Sequence, residues 1–290
     1  METDVELVLD ARAELAESPV WHQGALTWCD IERGTLHRWS ERGERQTWDL
    51  GQKTSAVAPA DDGRWIAAGQ HGLALVDLAS GRRELIADPE ADRPENRFND
   101  GKCDPAGRFW AGTINRDRAP LAALYRLDAD LTCRRILDGV INSNGLAWSE
   151  DRRTMYYIDT GTRRVDAFDY ELATGGISSR RTVIDLAGEG ASPDGMTIDR
   201  QGRLWVALWR GGAVVRIDPL RRAVTDRIRL PVTRVSSCCF GGAQLDELFI
   251  TTARSGLAPD ELARQPHAGG IFRARPGVAG FPTSVFKRFA

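Results

Sequence analysis

Glu17, Asn144 and Asp194 are widely separated in the chain but occupy one phase of a repeating sequence, and together they make a three-oxygen ligand set. Two ionised carboxylates held near one another repel and tend to keep a proton, whereas a divalent cation supplies the compensating charge. Such donors suit Ca²⁺, Mg²⁺ or Mn²⁺, and Zn²⁺ and Fe²⁺ also accept oxygen. Asn99 falls in the same phase. Arg97 stands two residues before it and faces the same way on an extended strand, where its several donors can hold a hydroxyl-rich or anionic ligand. Asp117 lies in the loop after Trp110-Ala111-Gly112-Thr113, flanked by Arg116 and Arg118, and is a further candidate for contact at a channel mouth.

The phase is read from a recurring phrase: Asp61-Asp62-Gly63-Arg64-Trp65, Asp104-Pro105-Ala106-Gly107-Arg108-Phe109-Trp110 and Asp199-Arg200-Gln201-Gly202-Arg203-Leu204-Trp205. A turn rich in Asp and Gly, followed by an apolar run bearing an aromatic residue, signals a hairpin. Weaker copies around Trp28, Met155 and Phe249 bring the series to six, at the roughly 40- to 50-residue spacing of four-stranded blades. The expected architecture is all-β, a single six-bladed β-propeller domain over residues 1–290. Eleven residues upstream of the six markers stand Glu17, Thr54, Asn99, Asn144, Asp194 and Cys238. Equivalent positions of successive blades converge on the central channel. Taken singly, each of these side chains is as well explained as a turn cap; four polar ones in phase argue for a site.

The elements between follow the same logic. Val5-Glu6-Leu7-Val8-Leu9 is expected to close the ring as a strand beside the last blade, which protects its edge. The stretch Ala87 to Arg97 reads as a loop, and Pro259 to Gln265 as a short surface helix with proline at its start. Among 290 residues the formal net charge is -2, which gives no basis for binding nucleic acid or an acidic membrane. Five cysteines without zinc-type spacing read as packed thiols of a reducing compartment. Met1-Glu2-Thr3-Asp4 lacks a basic, apolar leader, so a cytoplasmic protein is expected. Four histidines form no close metal motif, and no Gly-x-Ser-x-Gly elbow occurs, which disfavours histidine-clustered zinc hydrolases and serine hydrolases.

The ordered set Glu17-Ser18-Pro19-Val20-Trp21, Arg97-Phe98-Asn99-Asp100-Gly101-Lys102, Asp104-Pro105-Ala106-Gly107-Arg108, Ser143-Asn144-Gly145-Leu146-Ala147-Trp148 and Pro193-Asp194-Gly195-Met196 resembles the gluconolactonase family that includes regucalcin. The resemblance implies one divalent ion, Ca, Mn, Zn or Fe(II), on Glu17, Asn144 and Asp194. It also implies substrate contacts from Arg97 and Asn99, with a lid-side acidic contact at Asp117, where some relatives carry Glu. The activity it implies is hydrolysis of a sugar-acid lactone to the free aldonic acid, with Asp194 as candidate general base. The expected partner is a small sugar lactone, with no nucleic acid and no membrane, on a monomer or weak homo-oligomer. Two other readings stand beside it: a noncatalytic calcium-binding propeller, and an esterase or phosphotriesterase acting on a less polar substrate.

Overall fold

In the computed structural model of the chain, residues 4–288 are described. Most of the amino-terminal tetrapeptide on which the leader argument rests lies outside them. Six antiparallel sheets of four strands each form the six blades, as the repeat predicts. Their innermost strands are Ala16–His22, Thr54–Pro59, Asn96–Cys103, Ser143–Trp148, Ser192–Ile198 and Val235–Gly241. Each packs against its neighbours on both sides, so together they wall a central channel. The last blade takes Val5–Leu9 as its outer strand, paired antiparallel with Ile271–Ala274. The expected closure is therefore present.

The recurring phrase also has a packing role. Asp104 is fully buried; its Oδ1 accepts the backbone N–H groups of Ala106 and Arg108, and its Oδ2 accepts Trp110 Nε1 at 3.0 Å and the Tyr170 hydroxyl at 2.7 Å. Asp199 repeats the arrangement with Gln201 and Arg203 on Oδ1, and with Trp205 Nε1 at 3.0 Å and Arg216 at 2.8 Å on Oδ2. Gly107 and Gly202 turn the chain at φ +93° and +73°, a region open to glycine at no steric cost. The second blade departs from this pattern, because Pro59 occupies the place equivalent to Asp104 and Asp199, six residues before Trp65.

Two connections differ from expectation. Ala87 ends a strand, and Asn96 and Arg97 begin the innermost strand of the third blade, so only residues 88–95 form the loop. The short helix spans Pro259–Arg264. The chain after the last blade, beyond Ala274, crosses the floor of the ring. Arg200 donates to the Gly280 carbonyl at 2.9 Å and Thr283 to Trp21 at 2.8 Å, and Phe286, fully buried, bonds to Pro59 and Asp61. Nothing in the repeat announces this floor. No helix among the described residues is long and apolar enough to cross a membrane.

Candidate metal centre and channel mouth

Each innermost strand carries a β-bulge at its channel end. The ladder slips between Glu17 and Val20, Thr54 and Ala56, Phe98 and Gly101, Asn144 and Leu146, Pro193 and Met196, and Val235 and Ser237. A bulge re-aims side chains that a regular strand would alternate. Glu17, Asn99, Asn144 and Asp194 all lie at these slips, which is the physical basis of their shared phase. In the sixth blade the slip falls at Ser236. Cys238 pairs with Ile250 beyond it, so the spacing rule places Cys238 in the wrong register there. Its thiol packs against the carbonyl of Trp205 at 3.5 Å, and burial pushes it up to about 12.

Local backbone fixes the acidic pair. Ser18 adopts φ +50°, rare for a residue with a side chain, and turns its N–H onto Glu17 Oε2 at 3.0 Å. The Ser18 hydroxyl accepts Val57 N–H at 3.1 Å, tying the first blade to the second. Glu17 and Asp194 are 7 % and 9 % exposed, so water screens neither charge well. Burial pushes the Glu17 carboxyl well above its ordinary range, and the Asp194 and Asp100 charges push it further, against the Ser18 N–H and Arg97. Asp194 is raised by burial and then by Asp100, against Arg118, the Asn144 amide and Arg97.

The Asn144 amide is oriented by its neighbours. Its Nδ2 donates to Thr160 Oγ1 at 2.8 Å, and that hydroxyl spends its own proton on the Pro193 carbonyl at 2.8 Å. The amide orientation is thereby set, because Thr160 can only accept from it. Asn144 Oδ1 is left buried without a partner. Among the described residues no three His, Cys, Asp or Glu side chains form a ready metal cluster. The third sequence candidate is an amide, which such a count leaves out. An orphaned carbonyl-type oxygen beside two desolvated carboxylates fits a hard divalent cation, which would satisfy the amide and offset the repulsion.

The remaining sequence candidates are placed unequally. Arg97 donates through Nη1 to the Phe98 carbonyl at 2.8 Å and to Asn99 Oδ1 at 3.0 Å, while Asn99 Nδ2 donates to the Ser143 carbonyl at 2.9 Å. This chain joins the third blade to the fourth beside Asn144. Asp117 stands exposed on the loop 116–121, and among the described residues its side chain has no hydrogen-bond partner. That loop is fastened by buried Asn115, whose Oδ1 accepts the Asp117 and Ala119 N–H groups, and whose Nδ2 donates to Asn96 Oδ1 at 2.8 Å.

Two charges that the spacing does not single out act on the cluster. Asp100, next to Asn99 on the bulge, is 7 % exposed and holds Gly101 N–H on Oδ1 at 2.7 Å. Arg118, next to Asp117, lowers both Asp194 and Arg97 by its charge. The adjacency of each to a named candidate was the only sequence signal for it. Below the cluster lies a cavity of about 510 Å³, lined by Ser18, Asp100, Lys102, Trp148 and Ser237 and floored by Phe281. It contains neither Glu17 nor Asp194 in its wall, and reaches from Ser18 and Asp100 to the floor at Phe281.

Glycine makes the convergence possible. A Cβ on Gly145 would stand 2.7 Å from Met196 Cβ, 2.7 Å from Ile158 Cδ1 and 2.9 Å from the Asp194 carbonyl oxygen. Real Cβ atoms do not approach backbone so closely, and the fifth blade would have to retreat. Gly145→Ala is therefore expected to weaken any divalent-cation binding at the cluster by about tenfold or more, read by titration calorimetry, with the far-ultraviolet circular dichroism spectrum unchanged.

A six-bladed propeller whose bulged inner strands gather acid and amide oxygens at one channel end defines a recognisable class. Residues 15–254 match the family described as SMP-30/Gluconolactonase/LRE-like region, and the chain belongs to that family. Regucalcin of Oryctolagus cuniculus is 41% identical over 290 residues, covering 96% of each chain. Among solved structures, a luciferin-regenerating enzyme superposes with TM-score 0.92 at 30% identity, over 98% of this chain and 99% of that one. A calcium-binding protein, regucalcin, from Agrobacterium tumefaciens str. C58 superposes with TM-score 0.92 at 28% identity, over 96% and 95%.

Proposed function

We propose that the protein is a cytoplasmic, divalent-cation-dependent hydrolase that opens a sugar-acid lactone to the free aldonic acid. The observation that carries the cation is the buried, partnerless Asn144 Oδ1 beside two carboxylates raised by burial. The family description, which names gluconolactonase, supports the substrate class. Glu17, Asn144 and Asp194 hold the cation, Ca, Mn, Zn or Fe(II); when bound, it supplies Lewis-acid polarisation of the lactone carbonyl. Asp194 takes the proton of the attacking water. Arg97 and Asn99, fixed to each other and to Ser143, orient ring hydroxyls so that carbonyl and water meet in line. Asp117 contacts the substrate from the mouth. Five free thiols support a reducing compartment.

The Agrobacterium relative, described as a calcium-binding protein, supports a second reading, a propeller that binds calcium without catalysis. One experiment separates the two. Metal-stripped protein is assayed by proton release on a panel of pentono- and hexonolactones, before and after Ca²⁺, Mn²⁺, Zn²⁺ or Fe²⁺ is added separately. The proposal expects at least one cation to raise hydrolysis about 10³-fold above the spontaneous rate. Calcium binding with no acceleration on any lactone would establish the noncatalytic reading.

A further inference from the structure

The loop that carries Asp117 hangs on a chain of buried polar side chains. Asn96 opens the innermost strand of the third blade and pairs with Asn115 at the end of the sheet that also carries Asn99. Loop 116–121 leaves from there. Its Arg116 N–H donates to the Glu95 carbonyl at 2.9 Å, and its Leu121 carbonyl accepts Arg93 Nη1 and Asn96 Nδ2, each at 3.1 Å. Between these two ends Asn115 Oδ1 accepts the Asp117 and Ala119 N–H groups at 3.1 and 3.2 Å. Asn115 Nδ2 donates to Asn96 Oδ1 at 2.8 Å, Asn96 Nδ2 to Glu90 Oε2 at 3.0 Å, and the Tyr125 hydroxyl to Glu90 Oε1 at 2.9 Å.

The chain has a direction, and Glu90 sets it. A carboxylate only accepts, so Asn96 must turn its Nδ2 to Glu90 and its Oδ1 away. Asn115 must then offer Nδ2 to that oxygen, which leaves its own Oδ1 beneath the loop. Glu90, Asn96 and Asn115 are 7 %, 5 % and 3 % exposed, so water does not supply the partners that would let either amide turn over. Burial, and then the Glu90 charge, push the Tyr125 hydroxyl above its ordinary value, so it keeps the proton it donates. What a carboxylate contributes at this place is its inability to donate.

We propose that Glu90 is a positioning residue for the substrate: through Asn96 and Asn115 it fixes the loop bearing Asp117, and so sets how tightly the lactone is held. The inference rests on the lactonase reading and adds to it a residue that acts only through others.

The test exploits the direction of the chain. Glu90→Gln removes the compulsion on Asn96, and Asn115→Asp sets two acceptors against each other at Asn96 Oδ1. Combined, the two changes rebuild the chain in reverse: the new glutamine donates to Asn96 Oδ1, and Asn96 Nδ2 to the new aspartate, whose oxygen still accepts the loop N–H groups. The Leu121 carbonyl keeps Arg93. At saturating cation each single variant is expected to raise KM for the lactone about tenfold, with kcat changed less than about threefold. Each should also speed hydrogen exchange at the Asp117 and Ala119 amides by about tenfold. The double variant should return both readouts to within about threefold of the wild type, a coupling that two independent losses of stability would not show. Additive effects in the double variant, amide exchange that ignores Glu90→Gln, or a loosened loop with KM unmoved each overturn the inference and leave the lactonase reading standing. If no lactone is opened, that reading falls, and the exchange measurements alone decide whether Glu90 sets the loop.

Discussion

On the proposed function, Asp194→Asn is expected to abolish divalent-cation binding and to lower lactone turnover about 10³-fold, while making the cation-free protein more heat-stable than the wild type. The two effects have one origin. Asp194 is buried within the field of Asp100, with Glu17 inside its own field, and without a cation that arrangement stores unfavourable charge. The sign can be followed with pH. Both carboxyls are raised above their ordinary values of 3.8 and 4.5, so between those values and the folded ones the folded chain holds protons that the unfolded chain releases. Their stabilising contribution is complete below about pH 4 and is lost as pH rises through the folded values.

The cation-free wild type should therefore lose thermal midpoint relative to Asp194→Asn as pH is raised from about 4 to about 7. Saturating calcium should reverse the order by stabilising only the wild type, by about 2.7 kcal/mol at a hundredfold excess over Kd. Differential scanning calorimetry at several pH values, with and without calcium, reads all of this. An unchanged calcium affinity in the variant would remove Asp194 from the ligand set.

The largest effect on stability is expected at Asp199. Its fully buried carboxylate accepts two backbone N–H groups, the Trp205 indole and two nitrogens of Arg216, whose guanidinium also lies over the Trp205 ring at 5.5 Å. Asp199→Ala leaves the Trp205 indole N–H without its acceptor and the mostly buried Arg216 with only Gln201 Oε1 at 2.7 Å and Asp226 at 3.5 Å. Losses of that kind cost about 3–5 kcal/mol. Urea unfolding of Asp199→Ala should show a midpoint lowered in proportion to that loss, with the slope unchanged. The double change Asp199→Ala with Arg216→Met should recover part of it, because the stranded cation is gone. A loss below about 1 kcal/mol would mean the network is solvated after all.

The repeat made the ring legible because one structural device generates it. Asp104 and Asp199 each need their tryptophan six residues on, so the spacing of an indole bond is written directly into the sequence. The same rhythm carried the counting from Trp28 and Met155 to Glu17 and Asn144. It slipped at Cys238, because Phe249 and its partner Cys239 are joined by a hairpin two residues longer than the one joining Trp205 to Thr197, and a longer turn shifts the count without changing the hydrophobic pattern. Asp100 and Arg118 escaped for a different reason. Their importance lies in a field summed across blades, and neither spacing nor periodicity encodes which loop charge looks into a channel. The floor escaped too, since Phe281 to Phe286 has no alternation and finds its partners in four other blades.

The pairing of Val5–Leu9 with Ile271–Ala274 reaches beyond edge protection. During synthesis the first of these strands leaves the ribosome with its partner still unmade, and it waits while five blades assemble. Closing the circle then brings the two ends of the chain together in a single event with a large loop entropy, the kind of non-local contact that slows folding. An incomplete chain exposes two raw sheet edges, one on the first blade and one on the newest, and both can recruit strands from other molecules. The joint that makes the finished ring durable is thus also the point at which its biogenesis is most vulnerable to aggregation.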